Sequence, residues 1–120
     1  MSTVEQSFSH DPVSVKAARR FVSEQLDDAD DATRERVVLL VSELGSNAVR
    51  HAGTGFHVAV GRRGAVVFVE VSDSGPGEPS MQQRDATQPT GRGLQLVHDL
   101  AREWGVRRGA QGTKTVWFTV

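Results

Sequence analysis

The chain has 120 residues, enough for one domain around one core and cramped for two. Its 14 basic and 15 acidic residues leave a net charge of −1, so it carries no electrostatic footprint for nucleic acid or for an anionic membrane. It has no cysteine, which excludes disulfides, thiolate zinc sites and cysteine nucleophiles.

The opening MSTVEQSFSHDP lacks the basic start and apolar run of a signal peptide, so a cytoplasmic protein is expected. Within it, residues 3–8 (TVEQSF) alternate weakly and suit an edge strand. Asp11-Pro12 offers a helix start, with Pro12 in the first turn. Residues 13–27 then place Val15, Ala18, Phe21, Val22 and Leu26 at helical spacing. DDADD at 27–31 breaks that helix and can cap the next one. A second helix is predicted from about Ala32 to Ala52, with Val37, Val41, Leu44 and Ala48 forming a buried stripe. At roughly 100° per residue, Glu43, Asn47 and His51 fall in one row beside that stripe, continuing the line of Leu40. Gly45 lies on the buried side, where its helix penalty of about 1 kcal/mol suggests close approach of another backbone.

Two strands follow, FHVAVGR and AVVFVEVSD, joined by a short hairpin at Arg63-Gly64. The longest apolar runs, VVLLV and AVVFV, are too short to span a bilayer. Residues 74–93 hold four of the twelve glycines and three of the four prolines, which marks a long loop of the functional or mobile kind. From Gly93 a third helix presents Leu94, Val97, Leu100, Ala101 and Trp104 inward, and GVRR and TKTVWFTV close the chain as a hairpin across GAQG. Helices inserted between antiparallel pairs argue for a single α+β domain over 1–120: a two-layer sandwich whose mixed, mainly antiparallel sheet is covered on one face by three helices.

Three short motifs can carry chemistry. Glu43 and Asn47, at i and i+4, are hard oxygen donors facing one point; they suit magnesium, or a carboxylate that takes a proton, or a helix edge that only bonds a loop. Asp73-Ser74-Gly75-Pro76-Gly77 follows a central strand; the carboxylate could accept from an exocyclic amine beside glycines that admit a flat base, but the run is also good turn material. Gly91-Arg92-Gly93 opens a predicted helix whose free N–H groups could hold phosphate. Neither a dinucleotide fingerprint nor a P-loop is present, and the only lysines are Lys16 and Lys114. His10, His57 and His98 have no metal-ligand spacing and read as structural; His51 is balanced between packing and a ribose or phosphate contact.

In order, E-x-x-x-N on a helix, D-x-G-x-G after a strand, a loop, G-x-G opening a helix and Gly112-Thr113 before a last strand resemble the GHKL ATPase superfamily of gyrase-type ATPases, histidine kinases and mismatch-repair ATPases. N-A-V-R-H-A after E-L-x-x, and W-G-V followed by G-T-K-T-V-W-F, bring the chain closer to the small anti-sigma-factor serine/threonine kinases of bacteria. The resemblance runs from about Ser7 to Val120. It implies ATP and Mg2+ as cofactors, Asn47 as the magnesium ligand and Glu43 as the general base toward a serine hydroxyl. It further implies Asp73 on the adenine amine with Thr113 assisting through water, and Gly75 and Gly77 making room for the base. Gly91, Gly93 and the N–H of Leu94 would hold phosphate, residues 78–90 would form a lid, and Arg50 would lie near phosphate. The implied partners are an anti-sigma factor antagonist and a sigma factor, with a homodimer through residues 13–27 and the first strand as a further expectation. The loop reads T-G-R-G-L where the sporulation and stress kinases carry R-S-G-M-G-F, so a nucleotide-gated partner switch without catalysis stands as an alternative; a purely structural α+β interaction domain, its motifs coincidental, is another.

Overall fold

The computed structural model describes residues 3–73, 89–109 and 112–120, with the backbone alone at 51–52 and 89–92. The order is β1 (Thr3–Phe8), α1 (Val13–Gln25), α2 (Asp31–Asn47) continued by a π-helical turn (Ala48–Ala52), β2 (Phe56–Arg63), β3 (Val66–Asp73), α3 (Pro89–Leu100), β4 (Glu103–Arg108) and β5 (Lys114–Thr119). The five strands form one sheet in the order β1-β2-β3-β5-β4, and all four pairings are antiparallel. Among the described residues the α+β sandwich therefore has no parallel pair.

Strand alternation decides which face is covered. Val67, Val69 and Val71 of β3 are buried while the residues between them are half-exposed, and β5 repeats the pattern with Val116 and Phe118. On that face α1 packs on β1 and β2, α2 on β3, and α3 on β4. Val37, Leu40 and Val41 of α2 meet the sheet with no exposed surface, as the apolar stripe requires. Phe8 is the one buried residue of β1; it stacks on Phe56 with ring centroids 5.2 Å apart and meets Phe21 edge-on at 6.0 Å. That aromatic group ties the edge strand to α1. The opposite face carries Phe68 stacked on Trp117 and an Arg107–Glu70 ion pair.

Helix starts follow local chemistry. The Asp30 carboxylate accepts the N–H of Thr33 at 2.7 Å and caps α2, and that bond holds the Asp30 carboxyl below its usual range. Hydrogen bonding and charge from Arg62 hold Asp28 below its usual range too.

Three sequence expectations are corrected. Trp104 belongs to β4 and not to α3, because Glu103 and Trp104 pair with Thr119 and Phe118; the helix ends at Leu100. What crowds Gly45 is the Phe56 ring, 3.1 Å from a Cβ built there, and not another backbone. The π turn replaces the last α-helical turn of the second helix.

Gly55 precedes β2 where the chain passes the end of β1, and a Cβ there would lie 2.2 Å from the carbonyl oxygen of Phe8. Backbone cannot yield as a flexible side chain can. Gly55→Ala is expected to destabilise the fold by about 1–3 kcal/mol, read from the urea midpoint; an unchanged midpoint would contradict the close approach.

Candidate functional site

Helix α2 delivers the first two groups. Regular winding stacks Leu40, Glu43 and Asn47 along one side, and burial grades from a fully buried Leu40 through a half-buried Glu43. Asn47 goes deeper than a position beside the stripe implies, since only 7% of it is exposed. The cause is α3. Gly93 is buried, and a Cβ built on it would fall 2.6 Å from Asn47 Nδ2 and 4.0 Å from Glu43 Cβ. The bare backbone of α3 thus rests on the amide of Asn47, which only glycine allows. Asn47 Oδ1 is buried and has no hydrogen-bond partner among the described residues. Such a group costs about 1–3 kcal/mol and calls for an explanation.

Past Asn47 the backbone winds as a π turn, closed at Gly53 in the left-handed region with φ of 72°. Each residue of a π turn advances by a smaller angle than in an α-helix, so a residue three beyond Asn47 falls short of its face. Arg50 is accordingly exposed, lining a groove against α1 with Pro12, Lys16 and Ser46. The structure does not bring it to Asn47. The His51 side chain lies outside the described residues. His10 meets the carbonyl of Val49 at 2.8 Å, His57 bonds Glu5 and Ser7, and His98 accepts from the Trp104 indole, so all three have partners within the fold.

The sheet supplies the facing wall. Asp73 ends β3 directly opposite Lys114 at the start of β5. Two-residue alternation sends both toward the helix layer, above Val71 and Val116. Asp73 and Lys114 line one small cavity with Asn47, over an apolar lining from Leu44, Val71, Leu94 and Val116. It encloses about 20 Å3, room for one water-sized group. Gly75, Gly77 and residues 78–88 of the expected lid lie outside the described residues.

Two expected contacts are placed differently. Helix α3 starts at Pro89, whose fixed φ and missing N–H suit a first turn, and not at Gly93. Only the first four N–H groups of an α-helix lack intrahelical partners; Gly91 is inside that turn, whereas Gly93 and Leu94 are beyond it. Gly93 serves by its clearance over Asn47 and Leu94 by its side chain in the lining. Thr113 precedes β5, its carbonyl accepts the N–H of Gly109 at 2.8 Å, and it is absent from the lining; Lys114 stands there instead. Lys114 was readable from the alternation of KTVWF, which sets it on the face of Val116 and Phe118.

Chemically, a carboxylate and an amide oxygen one helical turn apart are the hard oxygen donors that magnesium favours, with waters and substrate phosphates completing its shell. The unsatisfied Asn47 Oδ1 and the room left by Gly93 fit that requirement. A family model for the histidine kinase-like ATPase domain matches residues 8–120. The fold is similar to the crystal structure of the RsbU and RsbW domains of Rv1364c from Mycobacterium tuberculosis, with a TM-score of 0.76 and 22% identity over 99% of this chain and 32% of that one. The chain thus spans about a third of that neighbour's length. No curated protein matches. Among the described residues, no helix is long and apolar enough to cross a membrane.

Gly93→Ala tests the contact of α3 with Asn47. Helix propensity alone favours alanine by about 1 kcal/mol, so a thermal melt should show no large loss of stability. The new methyl would displace the Asn47 amide, and magnesium-dependent nucleotide affinity should fall at least about tenfold, ~1.4 kcal/mol. Affinity equal to wild type by calorimetric titration would contradict the contact.

Proposed function

The chain belongs to the histidine kinase-like ATPase domain family, and from that premise we propose that it is an Mg-ATP-dependent protein serine/threonine kinase of the anti-sigma type, acting on a protein antagonist. The observation that carries this reading is the buried, unsatisfied amide oxygen of Asn47, set against Gly93 and sharing a cavity with Asp73. The likeness to a structure containing an RsbW domain supports the anti-sigma assignment, and an antagonist and a sigma factor are the partner classes proposed. The setting is the cytoplasm.

Each residue has a task in this reading. Asn47 offers Oδ1 to the cation, and because it is buried under α3 its amide has less ordering entropy to lose on binding than an exposed one. Asp73 accepts from the base amine, and Val71, Val116, Leu44 and Leu94 supply apolar contact beneath it. The N–H of Gly91, in the first turn of α3, donates to a phosphate in this reading, aided by the positive end of the helix. Glu43, half-buried on the turn before Asn47, takes the proton of the attacking serine hydroxyl. When bound, Mg-ATP supplies the phosphoryl group and the charge neutralisation that such transfers need. The roles proposed for Gly75 and Gly77, clearance for the base, and for the expected lid at 78–90, exclusion of water, rest on the family resemblance; Pro89 and Thr90 of that span belong to α3. Arg50, exposed beside α1, is assigned no role in transfer.

Substitution separates the roles. Asn47→Ala should weaken Mg-ATP binding by at least about tenfold in calorimetry, ~1.4 kcal/mol. Glu43→Gln should leave binding within about threefold of wild type and lower phosphotransfer to a protein acceptor by about 10²–10⁴-fold, the range for a general base. Equal loss of nucleotide affinity in both variants would contradict the division of labour. Wild-type binding with no transfer to any antagonist would favour a nucleotide-gated partner switch.

A further inference from the structure

We propose that Lys114 is a base-reading residue: its ammonium donates a hydrogen bond to a ring nitrogen of adenine, N1 or N7, next to the amine that Asp73 accepts from. The inference rests on the ATP-binding reading above and assigns a residue which that reading leaves unused.

Three observations carry it. Lys114 and Asp73 are direct cross-strand partners, and opposite residues in an antiparallel pair hold their Cβ atoms about 4.5–5.5 Å apart. Both point to the helix layer and line one cavity with Asn47. Lys114 is half-buried, yet its side chain has no hydrogen-bond or ion-pair partner among the described residues. Arg34, Arg62 and Arg107, by contrast, each have a carboxylate partner. A long cationic side chain held at a cavity wall without a partner is a donor in want of an acceptor.

The chemistry of the pair selects the ligand edge. An ionised carboxylate only accepts and an ammonium only donates. Adenine presents an amine donor beside ring-nitrogen acceptors, so an Asp73–Lys114 pair meets a donor and an acceptor at once. Guanine presents two acceptors, N7 and O6, on the corresponding major-groove edge, which would set O6 against the Asp73 carboxylate. Asp73 thereby rejects the wrong base on that edge while Lys114 tightens the right one.

The test pairs a protein change with a ligand change. Mg-bound ATP, 7-deaza-ATP and 1-deaza-ATP are titrated calorimetrically into wild type, Lys114→Met and Lys114→Gln, with circular dichroism confirming the fold of each. Lys114→Met should bind ATP about tenfold more weakly, as expected for a lost bond from a charged donor. One deaza analogue should bind wild type about tenfold more weakly than ATP and lose nothing further in Lys114→Met, which also tells N1 from N7. Lys114→Gln, which keeps an N–H donor, should recover part of the loss and remain sensitive to the same analogue. Wild-type ATP affinity in Lys114→Met would overturn the proposal. So would an equal factor lost on ATP and both analogues, since the ammonium would then act on phosphate. Failure of wild type to bind ATP at all would sink the ATP-binding reading itself, and this proposal with it.

Discussion

The site depends on one close contact: the bare backbone of Gly93 on α3 lying against the Asn47 amide at the end of α2. That contact buries Asn47 beneath a second helix, and its amide oxygen has no hydrogen-bond partner among the described residues. A buried acceptor without a donor works against stability, and proteins keep such groups where a ligand satisfies them. Core packing bears the cost. Val37, Leu40, Val41 and Leu44, on the turns leading to Asn47, anchor α2 on the sheet.

The sheet meets that amide with complementary chemistry. Antiparallel register puts Asp73 and Lys114 opposite one another, and the pleat aims both at the helices with Val71 and Val116 beneath them. One cavity therefore joins an acceptor, a donor, an amide oxygen and an apolar floor, drawn from α2, β3, α3 and β5. The aromatic contacts of Phe8, Phe21 and Phe56 act at a distance by fixing β1 and α1 to the sheet, and the ring of Phe56 also lies close under α2 at Gly45. Fold and site are one construction, since the strands that make the core end in the residues that line the cavity.

Much of this was legible in the chain. β1 matches TVEQSF at both ends, because alternation and the Asp11-Pro12 break leave little choice, and the stripe of Val37, Val41, Leu44 and Ala48 is buried as its spacing implies. Clustering of Glu43, Asn47 and Gly93 could be anticipated from helix geometry and from the glycine that opens space. Three features were not legible. The π turn depends on an altered hydrogen-bond step that no residue type announces, and it moved Arg50 away from the face of Asn47. Helix α3 took Pro89 as its first residue, although glycines at 91 and 93 argued for a later start. Pairing with β5 drew Trp104 out of an apparently helical pattern, because tertiary register outweighs a period extended by one residue. Lys114 differs from these: the G-T step points to Thr113, while strand parity sets its neighbour Lys114 on the face of Val116.

The most direct measurement of the central claim is a crystal structure with Mg2+ and a non-hydrolysable ATP analogue. The cation should be found on Asn47 Oδ1 at about 2.0–2.1 Å, with the base edge on Asp73, between α2, β3 and α3. A structure in which Asn47 Oδ1 is satisfied by the protein itself, with the nucleotide elsewhere or excluded, would contradict it.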